Sequence, residues 1–282
     1  MDIKLDEFLQ ISIIAIIQGF TEFLPISSSG HLILISEIGD FSKKGIEIEV
    51  AAHIGSLFAV IFYFRRIVFR LSKTIFSNFA SLLGNNFRDI GDKKKYEDAN
   101  LVRCLIVGCL PILVIGFLIV QTNISILRLL ITIGIGNLFF ALILFHADRI
   151  GSSSKTLSSI NVKDALIIGF FQIFALIPGS SRSGVTISMA RYLGYDRTSA
   201  TEYSLLSGIP VITAAGVLQI IKIVLSDVTY NLAPIILVCV LSFVVALSSI
   251  RFLLLWVGKT DFKVFVIYRL ILGIFLIGLA IL

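Results

Sequence analysis

Apolar residues fill most of this chain in runs of about twenty, the length that carries an α-helix across a hydrocarbon core of about 30 Å. Glu49 to Phe64, Leu101 to Val120, Leu127 to Phe145, Thr201 to Ile221, Leu232 to Ile250 and Val264 to Leu282 are the predicted crossings. Two other stretches behave differently. The run from Phe8 to Thr21 is about 14 residues long, is broken at Glu22 and Pro25, and resumes only briefly from Leu32 to Ile38. From Ala165 about 13 apolar residues lead into PGSSRSG, followed by a short limb through Leu193. Two short limbs around a polar turn describe a re-entrant hairpin, which survives at membrane depth only where protein or a water-filled cavity surrounds the turn. Ile67 to Leu83 sets Arg70 and Lys73 on a helical pattern and is expected in the interface. Gly84 to Asn100 reads as the one long polar loop.

The same order, hairpin then three crossings, occurs twice. The turn cores align as Q-x6-P-x-S-S-S-G and Q-x5-P-x-S-S-R-S-G. Three crossings are an odd number, so the second half enters from the opposite face, an inverted repeat of the kind found in transporters. The predicted fold is therefore all-α and polytopic, about ten helices in a single membrane domain, with halves at about 1–147 and 160–282 joined by the Ser-rich linker GSSSKTLSS. If the loop from Arg65 to Arg103 is cytoplasmic, seventeen Lys and Arg lie on that face and five on the other, which by the positive-inside rule places both termini outside. The acidic start MDIKLDEF, with no small-residue cleavage site, does not read as a signal peptide.

Composition narrows the function classes. With 57% hydrophobic and 15% charged residues and a mean hydropathy of +0.99, the solvent of this chain is the bilayer. The net charge of +6 follows from basic loops on one face and does not indicate nucleic acid. Cys104, Cys109 and Cys239 lie in apolar segments without zinc-ligand spacing and read as small core residues.

Ionisable residues at membrane depth are functional candidates by default, and here they sit in the two turns. Facing each other near the midplane, QGFTEFLPISSSGH and QIFALIPGSSRSG would form an anion site. Gly- and Ser-rich turns expose backbone N–H groups, and the N-terminal ends of the returning half-helices point their dipoles inward. Ser27, Ser28, Ser29, Ser180, Ser181, Ser183 and Thr186 add hydroxyls, and Arg182 supplies a planar fork suited to phosphate oxygens. Gln18 and Glu22 are four apart and share a helix face, with Glu22 a candidate general base or ligand for a divalent cation bridging phosphates. His31, three residues beyond Ser28, is placed to trade protons with a hydroxyl nucleophile or a leaving oxygen. The three serines of the first turn cannot be ranked by spacing alone. His53 reads as a packed or cavity-lining residue, and Arg269, beside Tyr268, as snorkelling or structurally paired.

At these motifs the chain resembles the undecaprenyl-diphosphate phosphatase family of bacterial inner membranes, the enzymes linked to bacitracin resistance. The likeness extends through the R-x-x-A-T-E-Y-S-x-L-x-x-I-P stretch from Arg197 to Pro210 and the closing FVIYR from Phe265 to Arg269. It implies hydrolysis of undecaprenyl diphosphate to undecaprenyl phosphate and inorganic phosphate, returning the lipid carrier to cell-wall synthesis. It also implies a periplasm-facing site, two re-entrant pairs among ten helices, homodimers, and support from a divalent cation, Mg2+ or Ca2+. By that resemblance Ser28 is the nucleophile, Glu22 and His31 its acid/base partners, and Arg182 with Ser181 and Thr186 the diphosphate clamp, while Gln18, Ser27 and Ser183 line the substrate. The family signature opens with Glu or Gln. Here it is Gln18, so the carboxylate work falls on Glu22.

A phosphatidic-acid-phosphatase type would need Arg before Pro and His at position 188, which is Ser188. A transporter or lipid flippase of the same architecture is the reading from a different class. It gives no particular use to Glu22 and His31.

Overall fold

A computed structural model describes residues 5–38, 45–83, 93–120, 129–225 and 231–281. Among the described residues there are eleven α-helices and no β-strand. In the first half these are α1 (Leu5–Thr21), α2 (Ser28–Ile38), α3 (Ile46–Tyr63), α4 (Arg65–Leu83), α5 (Lys93–Val120) and α6 (Leu130–Ile150). The second half holds α7 (Val162–Gln172), α8 (Arg182–Tyr192), α9 (Arg197–Val224), α10 (Leu232–Val257) and α11 (Lys263–Ile281). Six of them, α3, α5, α6, α9, α10 and α11, are long and apolar enough to cross a membrane. The chain is a multi-pass membrane protein, with α1–α2 and α7–α8 as the two short-limbed hairpins.

The helices run past the apolar stretches that announced them. α5 begins at Lys93, so the second part of the expected polar loop is two turns of helix, while residues 84–92 lie outside the described residues. KKKYEDAN contains neither Gly nor Pro and is rich in good helix formers, so the backbone ladder has no reason to start at the apolar boundary. Arg70 on α4 bonds Asp98 in this segment at 3.2 Å, joining α4 to α5. α4, with Phe69 and Phe76 turned outward, is the eleventh helix where about ten were expected. In the second half Asp196 caps α9 through the Ser199 amide at 2.7 Å, starting that helix a turn before Thr201.

The packing interlocks the halves. α1 lies against α10 and α7 against α5; α3 pairs with α10 and α5 with α9; α3 meets α9 and α6 meets α11. Each hairpin's first limb therefore packs on the second full crossing of the other half. Close approach depends on missing side chains, as is usual where lipid offers no hydrophobic drive for helix association. A Cβ on Gly19 of α1 would stand 2.7 Å from the Ser242 carbonyl oxygen of α10, and one on Gly169 of α7 would stand 2.2 Å from that of Gly108 on α5. Hydroxyls in these seams find carbonyls: Ser242 donates to Ala52 O at 2.7 Å and Ser249 to Phe20 O at 2.7 Å. Cys104 and Cys109 are buried, as core residues should be.

The Ser-rich segment between the halves is docked rather than loose. Lys155 exchanges backbone hydrogen bonds with Gly194 and Asp196, and its ammonium lies 2.8 Å from Asp164. Burial alone would raise the Asp164 carboxyl, but bonds from Lys155 and Tyr195 hold it below the usual carboxylate range. Nearby, Asp148 at the end of α6 accepts two bonds from Arg197, at 2.7 and 3.1 Å, and one from the Phe262 amide, with Arg191 Nε at 3.2 Å. Arg191 is almost fully buried, so its charge relies on this carboxylate. Asp148→Asn should lower stability by about 3 kcal/mol, the scale of breaking a buried pair. Thermal unfolding of the purified chain in detergent checks this, and an unchanged midpoint would remove Asp148 from the fold's framework.

Candidate active site

α1 carries its last turn to Glu22, whose amide donates to Gln18 O at 3.0 Å, before Pro25 ends the limb. The chain then reverses through Ser27, at φ 69°, and enters α2. The second hairpin repeats the device: Gly179 at φ 88°, then Ser181 at φ 66°, then α8. Left-handed backbone at a serine costs about 1 kcal/mol, so two such residues mark turns held in place by their surroundings. Each serine caps the helix it opens. Ser27 Oγ accepts from the Gly30 amide at 3.4 Å and Ser181 Oγ from the Gly184 amide at 3.2 Å. The register is thereby fixed at the glycines: Ser27 corresponds to Ser181, and Ser28 to Arg182. Both of the latter are the first residues of their helices, whose N-terminal backbone N–H groups and dipoles favour an anion.

The two turns meet across the molecule. Ser183 donates to Leu24 O at 2.9 Å, and a cavity of about 390 Å³ is lined by Glu22, Ser27, Ser28 and Ser29 from one turn and Ser181 and Arg182 from the other. Glu49 and His53 of α3, one turn apart, and Gln219 of α9 complete its polar wall, while Ile112, Leu176, Val211 and Ile212 give it an apolar side. An anionic head joined to a hydrocarbon tail fits such a lining.

On the first wall, Glu22 Oε2 accepts from Gln18 Nε2 at 2.6 Å and from Ser28 Oγ at 3.1 Å. His53 Nδ1 lies 3.4 Å from the same oxygen and 2.8 Å from Gln18 Nε2. Gln18 donates to Glu22, so it orients the carboxylate toward Ser28. Opposite, Arg182 Nη1 donates to Ser204 O at 2.8 Å, while Nη2 is buried with no hydrogen-bond partner. A buried, unpaired guanidinium nitrogen is costly and calls for an acceptor that a ligand brings.

Glu22, Ser27, Ser28, Ser181 and Arg182 are thus brought to one cavity. The other expected residues are placed around it. His31 does not line the cavity or bond Ser28: its Nδ1 contacts Ser27 O at 2.7 Å, its Nε2 the Tyr268 hydroxyl at 2.5 Å, and its ring stacks on Tyr268. Thr186 Oγ1 bonds Arg182 O and Ser204 Oγ, at 2.9 and 2.6 Å, and so braces the socket that holds Arg182. Ser183 and Gln18 likewise act from behind. Arg269, expected to snorkel or pair, is wholly buried and bonds carbonyls of both turns.

His53, expected as a packed or cavity-lining residue, lines the cavity, and Glu49, which the sequence pattern does not single out, joins it from one turn away on the same face of α3. Among the described residues no group of three or more His, Cys, Asp and Glu is set to hold a metal ion. The two carboxylates on the cavity, Glu22 and Glu49, suit a hard divalent cation only if phosphate oxygens complete its shell, the usual manner of Mg2+.

Comparison with known proteins bears directly on this geometry. Residues 11–275 match the family described as bacitracin resistance protein BacA. The chain is 40% identical over 271 residues to an undecaprenyl-diphosphatase of Chromohalobacter salexigens, covering 96% of this chain and 98% of that one. It is 38% identical over 269 residues to undecaprenyl-diphosphatase 1 of Pseudoalteromonas translucida, covering 95% and 97%. An undecaprenyl-diphosphatase of a Nocardioides species is 38% identical over 267 residues, covering 95% and 94%.

Gly179 tests the turn geometry. Its φ of 88° strongly favours glycine, and a Cβ there would stand 2.2 Å from the Ile133 carbonyl oxygen. Gly179→Ala should cut phosphate release by at least about tenfold and lower the unfolding midpoint. Gly278→Ala, where a Cβ meets nothing within 4 Å, should leave both intact or slightly raise the midpoint. Equal behaviour of the two variants would contradict the assignment of a strained turn.

Proposed function

The chain belongs to the bacitracin resistance protein BacA family, and on that premise we propose that its two-turn cavity is the active site of an undecaprenyl-diphosphatase. The reaction is hydrolysis of undecaprenyl diphosphate to undecaprenyl phosphate and inorganic phosphate, returning the carrier to cell-wall synthesis. One observation carries the reading. A serine hydroxyl bonded to a carboxylate and a guanidinium with an unpartnered nitrogen line the same cavity from opposite halves of the chain.

In the proposed mechanism the diphosphate seats its terminal phosphate between the N-termini of α2 and α8, with Arg182 Nη2 and the free backbone N–H groups as donors. Ser28 Oγ attacks the terminal phosphorus while its proton passes to Glu22. The phosphoanhydride bond breaks, and undecaprenyl phosphate leaves with the bridging oxygen and takes the proton from Glu22. Water then attacks the phosphoseryl phosphorus and gives a proton to the freed Glu22 carboxylate, which returns it to Ser28 Oγ as the seryl P–O bond breaks and inorganic phosphate is released. Ser27 and Ser181 hold the turns, Gln18 aims Glu22, and Thr186 and Ser183 brace the Arg182 side. His31, bonded to Ser27 O, fixes the residue before the nucleophile. A divalent cation, Mg2+ or Ca2+, would be held by Glu22 and Glu49 and would neutralise charge on the diphosphate.

The cavity lies among the first turns of α3 and the second half of α9, at the end away from Arg65, Arg66 and Arg197. The positive-inside rule then faces the site toward the periplasm, with both termini there, in the bacterial inner membrane. The prenyl tail stays in hydrocarbon while its head enters the cavity. Homodimerisation is carried over from the family resemblance. Lipid flipping is the second reading, supported by the exchanged packing of the halves, α1 on α10 and α7 on α5.

Phosphate release from undecaprenyl diphosphate by the purified chain in detergent, where nothing vectorial can occur, separates hydrolysis from flipping. Release that chelator suppresses and Mg2+ or Ca2+ restores is the expected result; no release with any cation would leave the transporter. In the same assay Glu22→Gln should nearly abolish turnover, and Ser28→Ala should be far worse than Ser29→Ala, whose hydroxyl contacts only Ser27. An active Glu22→Gln enzyme would remove that carboxylate from the mechanism. Arg182→Lys, which keeps the charge and loses the fork, should lose at least about tenfold.

A further inference from the structure

Arg269 of α11 is fully buried and has no carboxylate within ion-pair distance among the described residues. Its contacts are all neutral acceptors. Nη2 donates to Gly179 O at 2.9 Å and Ser180 O at 2.8 Å, Nη1 to Pro25 O at 3.5 Å, and Nε to Asn137 Oδ1 at 3.1 Å. Pro25 lies two residues before Ser27, and Gly179 and Ser180 immediately precede Ser181. One side chain thus grips both turns just behind their left-handed serines. It does not line the cavity.

Burying a lone charge in this way is costly, and removing its field from water makes it act at longer range. A hydrophobic residue, or an acidic neighbour, would relieve that cost. Asn137 occupies the place where such a neighbour would sit: it is fully buried, its Oδ1 meets Arg269, and its Nδ2 has no partner. An aspartate of the same shape would lose no hydrogen bond there. The fold therefore keeps a net positive charge behind two anion-binding helix N-termini.

We propose that Arg269 is a positioning residue that sets the spacing of the two turns, and that its uncompensated charge has the bound diphosphate head group as its counter-charge. This rests on the cavity being the diphosphate site. Two consequences separate. The fork fixes the distance from Ser28 to Arg182, which governs turnover. The charge, transmitted through one layer of backbone, governs how tightly an anion is held. Asn137, through its neutral amide, preserves that charge.

Asn137→Asp is the sharpest test, because it is isosteric, keeps the acceptor for Nε, and adds one negative charge. Expected in the full-length purified protein is an unchanged or raised unfolding midpoint together with inhibition by inorganic pyrophosphate weakened at least about fivefold and a matching rise in KM. Arg269→Lys keeps the charge but cannot reach all the carbonyls. It should lower kcat at least about tenfold while the pyrophosphate inhibition constant stays within about threefold. An unaltered inhibition constant in Asn137→Asp would overturn the counter-charge role, and near-normal kcat in Arg269→Lys would overturn the positioning role. If the unsubstituted protein releases no phosphate at all, the cavity assignment fails; if it is active and these variants behave like it, only this inference fails.

Discussion

Two helices start inside the bilayer, and hydrocarbon offers their first backbone N–H groups no water. That constraint organises the molecule. The N-termini of α2 and α8 must be buried in protein and must face something polar, so the crossing helices are arranged as walls around them. Capping by Ser27 and Ser181 satisfies one amide in each, at the cost of left-handed backbone at both serines. What remains is a pair of donor-rich, positively polarised ends pointing at a common space. An anion is the electrostatic complement of such a space.

The halves contribute unequally to it although they are built alike. With the glycines as reference, the first residue of α2 is Ser28 and the first residue of α8 is Arg182. One copy of the turn presents a hydroxyl beside a carboxylate; the other presents a guanidinium in a socket of Ser204 and Thr186. A near-symmetric scaffold thereby yields a polarised site, with the nucleophilic side and the charge-stabilising side fixed by which half supplies them.

Much of this was legible in the sequence, because bilayer length, broken apolar runs and polar residues at depth are strong signals. The two hairpins, the six crossings and the meeting of Glu22 with Arg182 all follow from them. The register of the turns did not, since the two turns differ in length by one residue and only the caps at Gly30 and Gly184 reveal which serine matches which. His31 was expected beside Ser28 from its separation along the chain, but its place one turn into α2 carries it to Ser27 O and Tyr268. Glu49 on the cavity and Arg269 behind the turns come from α3 and α11, distant in sequence, and a one-dimensional pattern holds no record of which helices pack against the turns. The helical start at Lys93 was missed for another reason: hydropathy marks where a helix enters lipid, not where its backbone ladder begins.

The grip of Arg269 on both turns also has a consequence for biogenesis. The carbonyls of Pro25, Gly179 and Ser180 belong to segments that emerge from the ribosome well before the helix that satisfies them. Until α11 has been inserted, each turn lacks this shared anchor, and the halves are joined only through contacts such as Ser183 to Leu24 and the α1–α10 and α5–α7 seams. The last-made helix is thus the one that completes the hydrogen bonding of both turns.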